Sequence, residues 1–64
     1  MKNNIEKLRK EKGITQEQLA EAVEVSRQTI NAIENEKYCP TLILAFKMAR
    51  YFNETIDNIF IYNN

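Results

Sequence analysis

The segment VSRQTINAIENEK, residues 25–37, sets Arg27, Gln28, Asn31, Ala32 and Asn35 on one side of a helical wheel. Ile30 and Ile33 take the other side, because a helix repeats every 3.6 residues. The apolar pair must face a core, which leaves a face of small and hydrogen-bonding groups pointing outward. That set of side chains is suited to reading base edges. Gln pairs bidentately with adenine and Arg with guanine, at about 1–3 kcal/mol of discrimination each, and Ala touches a thymine methyl. Lys37, just beyond the helix, is placed for a phosphate. A polar helix face taken alone is ordinary solvated surface, so the reading depends on the elements around it.

Those elements are legible from caps and stops. A first helix is expected over about Asn4 to Lys12, with Ile5 and Leu8 on one face and Gly13 as its stop. Thr15 opens a second helix, and Gln18 three residues later completes a capping box. Leu19, Ala20 and Val23 form its apolar stripe. VEVS breaks that helix, and Ser26 caps the third. Two short helices joined by about three residues are a helix-turn-helix pattern, here with Glu24 in place of the glycine often found in the turn. The starts of both helices, at Gln16 and at Ser26–Gln28, present unpaired N–H groups that favour phosphate without any need for net charge.

NEKYCPT reads as a loop, and Thr41 caps a fourth helix over about Leu42 to Phe52. Its expected buried face is Leu42, Ala45, Met48, Ala49 and Phe52, while Ile43 projects with Lys47 and Arg50. NETIDNIF predicts a short fifth helix capped by Thr55. IYNN is β-prone, and residues 1–3 are expected to pair with 61–62 as a small ribbon. The fold class is therefore all-α: a compact five-helix domain over residues 1–64 with a short terminal two-stranded β ribbon, its helix-turn-helix at about 15–35.

Composition narrows the function. Nine cations balance nine anions, so a polybasic tail is excluded but a local basic patch is not. With no histidine, one cysteine and no glycine-rich phosphate loop, enzyme chemistry has no candidate residues. No cofactor, metal-ligand spacing or small-molecule site is evident. Cys39 reads as an ordinary free thiol, and a reducing, cytoplasmic setting is expected. No apolar run approaches the ~20 residues that cross a bilayer, and Lys2 leads into a polar stretch rather than a signal sequence.

ITQEQLAEAVEVSRQTINAIENEK followed by Pro40, Thr41 and Leu42 closely resembles the phage-repressor and Cro-type helix-turn-helix family, over about Ile5 to Phe60. Length and the late DNIFIY look most like small bacterial regulators of the cytolysin-repressor type. The resemblance implies five helices, a short terminal β element and a two-fold dimer. It assigns base contacts to Arg27, Gln28 and Ala32, with Asn31 as a secondary contact. It assigns phosphate contacts to Gln16, Asn35 and Lys37, with Thr29 beside them. Arg9 and Glu34 match a buried ion pair between the first and third helices. Lys10 is the best placed of the early lysines for a phosphate. Glu36 departs from the family in standing where glycine is frequent, and Ile43 in replacing a polar residue.

Ile43, Tyr51, Ile61 and Tyr62 are candidate partner-facing groups, which places dimerisation in a region of about 51–64. The expected partners are a double-stranded DNA operator and a second copy of the chain. The leading reading is thus a sequence-specific repressor on a palindromic operator. The competing one is an interaction module, such as an antitoxin or adaptor, that keeps the fold without reading sequence.

Overall fold

Hydroxyl side chains start four of the helices. In the computed structural model, which describes residues 1–62, these helices are α2 (Gln16–Ala22), α3 (Arg27–Glu34), α4 (Leu42–Phe52) and α5 (Ile56–Ile59). Thr15, Ser26, Thr41 and Thr55 stand in extended backbone immediately before them. Each side-chain oxygen accepts the N–H three residues on, from Gln18, Thr29, Leu44 and Asn58 respectively. Such a cap satisfies a donor that the helix itself cannot. At Thr15 the box is complete, because Gln18 Oε1 accepts the Thr15 N–H at 2.9 Å. The first helix, α1 (Ile5–Lys12), has no such cap. Instead the Asn3 side chain accepts the N–H of Ile5 at 3.2 Å. Asn63 and Asn64, part of the expected 1–64 domain and 51–64 dimerisation region, lie outside the described residues.

The first four helices all end in a left-handed residue. These are Gly13 (φ 73°), Glu24 (φ 64°), Glu36 (φ 62°) and Asn53 (φ 55°). At each end two N–H groups turn back onto carbonyls of the last turn, as in Gly13 to Lys10 with Ile14 to Arg9, and Glu36 to Ile33 with Lys37 to Ala32. This is the Schellman arrangement, which normally uses glycine because a Cβ is strained there. The chain has a single glycine, so two of these stops are made by glutamates.

The helices close on one core of Ile5, Leu19, Ala20, Val23, Ile30, Ile33, Leu44, Ala45, Met48, Ile59 and Phe60. Strands β1 (Lys2–Asn3) and β2 (Phe60–Ile61) pair antiparallel, Lys2 with Ile61 and Asn3 with Phe60. The five helices and the short ribbon are the expected architecture. The Asn4 N–H donates to Ile59 at 2.8 Å, and the Asn3 amide donates to the Ile33 carbonyl at 2.8 Å. The joined termini are thereby tied to the end of α3.

One expectation is corrected. Leu42 is 68% exposed, and Leu44 takes the buried place instead. The inward stripe of α4 is centred between Met48 and Phe52. On a 3.6-residue wheel Leu44 falls about 60° from that centre and Leu42 about 100°. Ile43 projects as expected, and with Leu42 and Phe46 it forms an apolar outer face.

The strained stops generate a comparison. Glu36→Gly is expected to stabilise the domain by about 1 kcal/mol, raising Tm by roughly 4–8 °C. Glu24 differs because its carboxylate accepts a hydrogen bond from Lys47 at 2.9 Å. That bond, and then the Lys47 charge, hold the Glu24 carboxyl below its usual range. A depressed folded-state pKa contributes stability above the unfolded pKa and loses it as pH falls through the folded value. Glu24→Gly should therefore raise Tm less than Glu36→Gly near neutrality, with the gap closing in acid. Thermal melts of both variants across pH check this.

Candidate nucleic-acid interface

The third helix presents its face as a consequence of its caps and its two isoleucines. Ile30 and Ile33 are essentially inaccessible, which turns Arg27, Gln28, Asn31 and Asn35 to solvent. Ala32 and Thr29 are half-buried at the edges of that face. The Thr29 hydroxyl lies 3.0 Å from that of Ser26, within hydrogen-bond distance. The N–H groups of Arg27 and Gln28 have no acceptor among the described residues. They form the exposed positive end of the helix dipole.

Helix α2 packs chiefly on α3 and brings Gln16 beside this face. Gln16 is half-buried. Its amide nitrogen donates to Glu34 Oε1 at 3.0 Å, and its amide oxygen accepts from Asn31 Nδ2 at 3.4 Å. Asn35 Nδ2 in turn donates to the Asn31 carbonyl at 2.9 Å and to Asn31 Oδ1 at 3.3 Å. Three of the expected contact residues are thus joined in one hydrogen-bonded series. Sequence reading did not find it. The visible signal was that Asn31 and Glu34 stand one turn apart; the approach of Gln16 is tertiary.

Beneath the face lies the ion pair. Arg9 Nε donates to Glu34 Oε2 at 2.9 Å and Nη2 donates to Oε1 at 3.3 Å, while Nη1 donates to the Ile14 carbonyl at 3.0 Å. The side chains are only 12% and 5% exposed. The Glu34 hydrogen bond, outweighing the opposing effect of burial, raises the Arg9 pKa above its ordinary value. The guanidinium donates three hydrogen bonds in all, and no buried side-chain polar atom among the described residues lacks a partner.

The remaining candidates divide. Lys37 is exposed and, like Arg27, makes no ion pair with a described residue. Lys10 is exposed and lies 3.6 Å from Glu6 one turn earlier. Glu36 is exposed next to Lys37 and sets a negative charge at the end of the recognition face. Of the partner-facing candidates, Ile43, Ile61 and Tyr62 are exposed. Tyr51 is drawn inward: its ring meets Phe52 edge-on at 5.3 Å, and Lys12 Nζ sits 5.1 Å from its centroid. Among the described residues no group of His, Cys, Asp or Glu could hold a metal, and no helix is long and apolar enough to cross a membrane.

This arrangement of two capped helices, one presenting an uncrowded polar face, is that of a helix-turn-helix DNA-binding domain. A family model described as helix-turn-helix matches residues 5–59, and the chain belongs to that family, in its Cro/C1-type branch. It is similar along its whole length to an uncharacterized HTH-type transcriptional regulator of Methanocaldococcus jannaschii, at 52% identity covering 97% of that protein. One of Methanothermobacter thermautotrophicus is 53% identical over 95% of this chain and 90% of its own. A third, YgzD of Bacillus subtilis, is 43% identical over 94% of this chain and 91% of its own. The chain is a DNA-binding regulator and not an enzyme. The similarity extends well into the archaea, beyond the bacterial regulators that the sequence first resembled.

Removing one partner of a buried ion pair costs roughly 3–5 kcal/mol, because the other is left uncompensated. Arg9→Ala is therefore expected to lower Tm by more than about 10 °C, an effect on folding larger than its effect on sequence choice. An unaltered melting curve would contradict the structural role of the pair.

Proposed function

We propose that the chain is a transcriptional repressor that acts in the cytoplasm, binding a palindromic operator as a two-fold dimer. The observation that carries this reading is the outward face of α3, where Arg27 makes no ion pair with a described residue, with Gln16 of α2 beside it. In this reading α3 enters the major groove. Arg27, Gln28, Asn31 and Ala32 meet base edges, and Gln16, Thr29, Asn35, Lys37 and Lys10 lie along the phosphates. Specificity comes from hydrogen bonds and affinity largely from placed cations and helix ends, so a chain with zero net charge is sufficient.

Size supports the proposed dimer. One protomer measures 32 × 22 × 20 Å and carries one recognition helix. Half-sites repeat at about 34 Å, one turn of DNA, so reading two of them takes two copies. Exposed Ile43, Ile61 and Tyr62, with half-buried Tyr51, are the groups offered to the partner. Repression is proposed to act by occluding polymerase. The same exposed residues also support the adaptor reading, and the two separate in one assay. Selection from random duplexes yields a consensus for a regulator and none for an adaptor.

Gln28→Ala is expected to relax the preference at one base pair by about 1–3 kcal/mol. Lys37→Ala should weaken all sequences alike and lower the salt slope by about one. Competition mobility shifts at several salt concentrations distinguish the two effects. Wild-type behaviour of both variants would mean that another surface meets DNA. For the dimer, Ile43→Asp is expected to shift sedimentation from two copies towards one and to weaken operator binding more than half-site binding.

A further inference from the structure

We infer that Glu34, which the fold keeps away from any ligand, is a positioning residue that selects the base read by Asn31. The inference rests on the DNA-reading assignment of α3. Its basis is the direction of the hydrogen bonds that run from the ion pair to the surface.

A carboxylate can only accept. Glu34, its side chain 5% exposed, already takes two bonds from Arg9 and cannot turn away. The group facing its Oε1 must therefore be a donor, which fixes the Gln16 amide with nitrogen inward, at 3.0 Å. The other end of that amide is then a carbonyl, which also can only accept. Asn31 must offer it nitrogen, at 3.4 Å. From the opposite side, Asn35 Nδ2 is fixed as a donor by the Asn31 main-chain carbonyl at 2.9 Å, and it meets Asn31 Oδ1 at 3.3 Å. Acceptor-only groups at both ends thus impose a single orientation on the Asn31 amide.

Orientation decides what an asparagine reads. A free amide rotates, and it fits a donor–acceptor pair of a base edge in either order. Held as here, it presents oxygen and nitrogen in one order only. Each atom keeps a bonding position for the base, since Nδ2 has a second hydrogen and Oδ1 a second lone pair. Gln16 likewise keeps one amide hydrogen for a phosphate. The buried carboxylate therefore sets a base preference without touching the base.

The test is base preference at every operator position, measured by competition among single-base operator variants for four proteins. These are the wild type, Asn31→Ala, Glu34→Gln and Gln16→Met. Asn31→Ala identifies the base pair that Asn31 reads. Glu34→Gln keeps the shape but supplies a donor as well as an acceptor, so it is expected to lose roughly three- to tenfold of discrimination at that base pair alone. A merely structural role would lower Tm, or weaken all operators evenly, without moving one position. Gln16→Met cuts the series while leaving Arg9 and Glu34 paired, and it decides the matter if Glu34→Gln fails to fold. It is expected to weaken all operators through the lost phosphate contact and, in addition, to flatten the Asn31 position. Unchanged discrimination there in Gln16→Met, or in a folded Glu34→Gln, overturns the inference while the regulator reading stands. An Asn31→Ala protein with wild-type preferences also overturns it. A wild type that selects no consensus removes both.

Discussion

The pairing of Arg9 with Glu34 is the constraint on which the rest of the domain depends. Arg9 comes from α1 and Glu34 from the last turn of α3, and the guanidinium also holds the Ile14 carbonyl in the link to α2. One cation thus ties α3 to α1 and to the link that follows α1. Burying two charges is costly, and such a pair is tolerated only with good geometry and further hydrogen bonds. Here the guanidinium donates three and the carboxylate accepts three, one of them from Gln16. The result is a fixed relation between the start of α2 and the face of α3. A reading head needs that relation more than it needs additional stability, since contacts to base edges fail when displaced by an ångström.

Around this centre the apolar core is supplemented by caps, stops and a terminal ribbon. A domain of this length buries too little surface for a large margin. It compensates with hydroxyl caps at four helix starts and left-handed stops at four helix ends. The antiparallel ribbon then joins first residues to last, and Asn3 links that ribbon to the Ile33 carbonyl of α3. The strain accepted at Glu24 and Glu36 shows that stability is not maximised everywhere. Glu24 is partly offset by its contact with Lys47. Glu36 has no ion pair with a described residue, and its charge sits where a phosphate is expected.

Much of this was readable before any coordinates. Thr15, Ser26, Thr41 and Thr55 announce helix starts because a cap is a local interaction, made between residues three apart. The Ile30 and Ile33 pair set the face of α3 because only two large apolar groups compete for its inner side. The phase of α4 was harder. LILAFKMARYF is apolar on most sides, so the expected stripe was started at Leu42, whereas the stripe through Met48 and Phe52 turns Leu44 inward. Tyr51 looked free for a partner until Lys12 and Phe52 came to meet it. The series from Glu34 through Gln16 to Asn31 was invisible for a different reason. It depends on the direction of hydrogen bonds between helices, and a sequence encodes neither the approach nor the direction locally.

The central claim is that a buried ion pair holds the α2 start and the α3 face as one rigid reading surface. Amide and side-chain NMR shifts, followed as a selected operator duplex is added, test it most directly. The account predicts that Gln16, Arg27, Gln28, Asn31 and Ala32 shift together. The Arg9 Nε proton should stay hydrogen-bonded and slow to exchange in both free and bound states. Shifts confined to the outer face of α4, or an Arg9 proton that exchanges freely while the α3 face still binds, would contradict it.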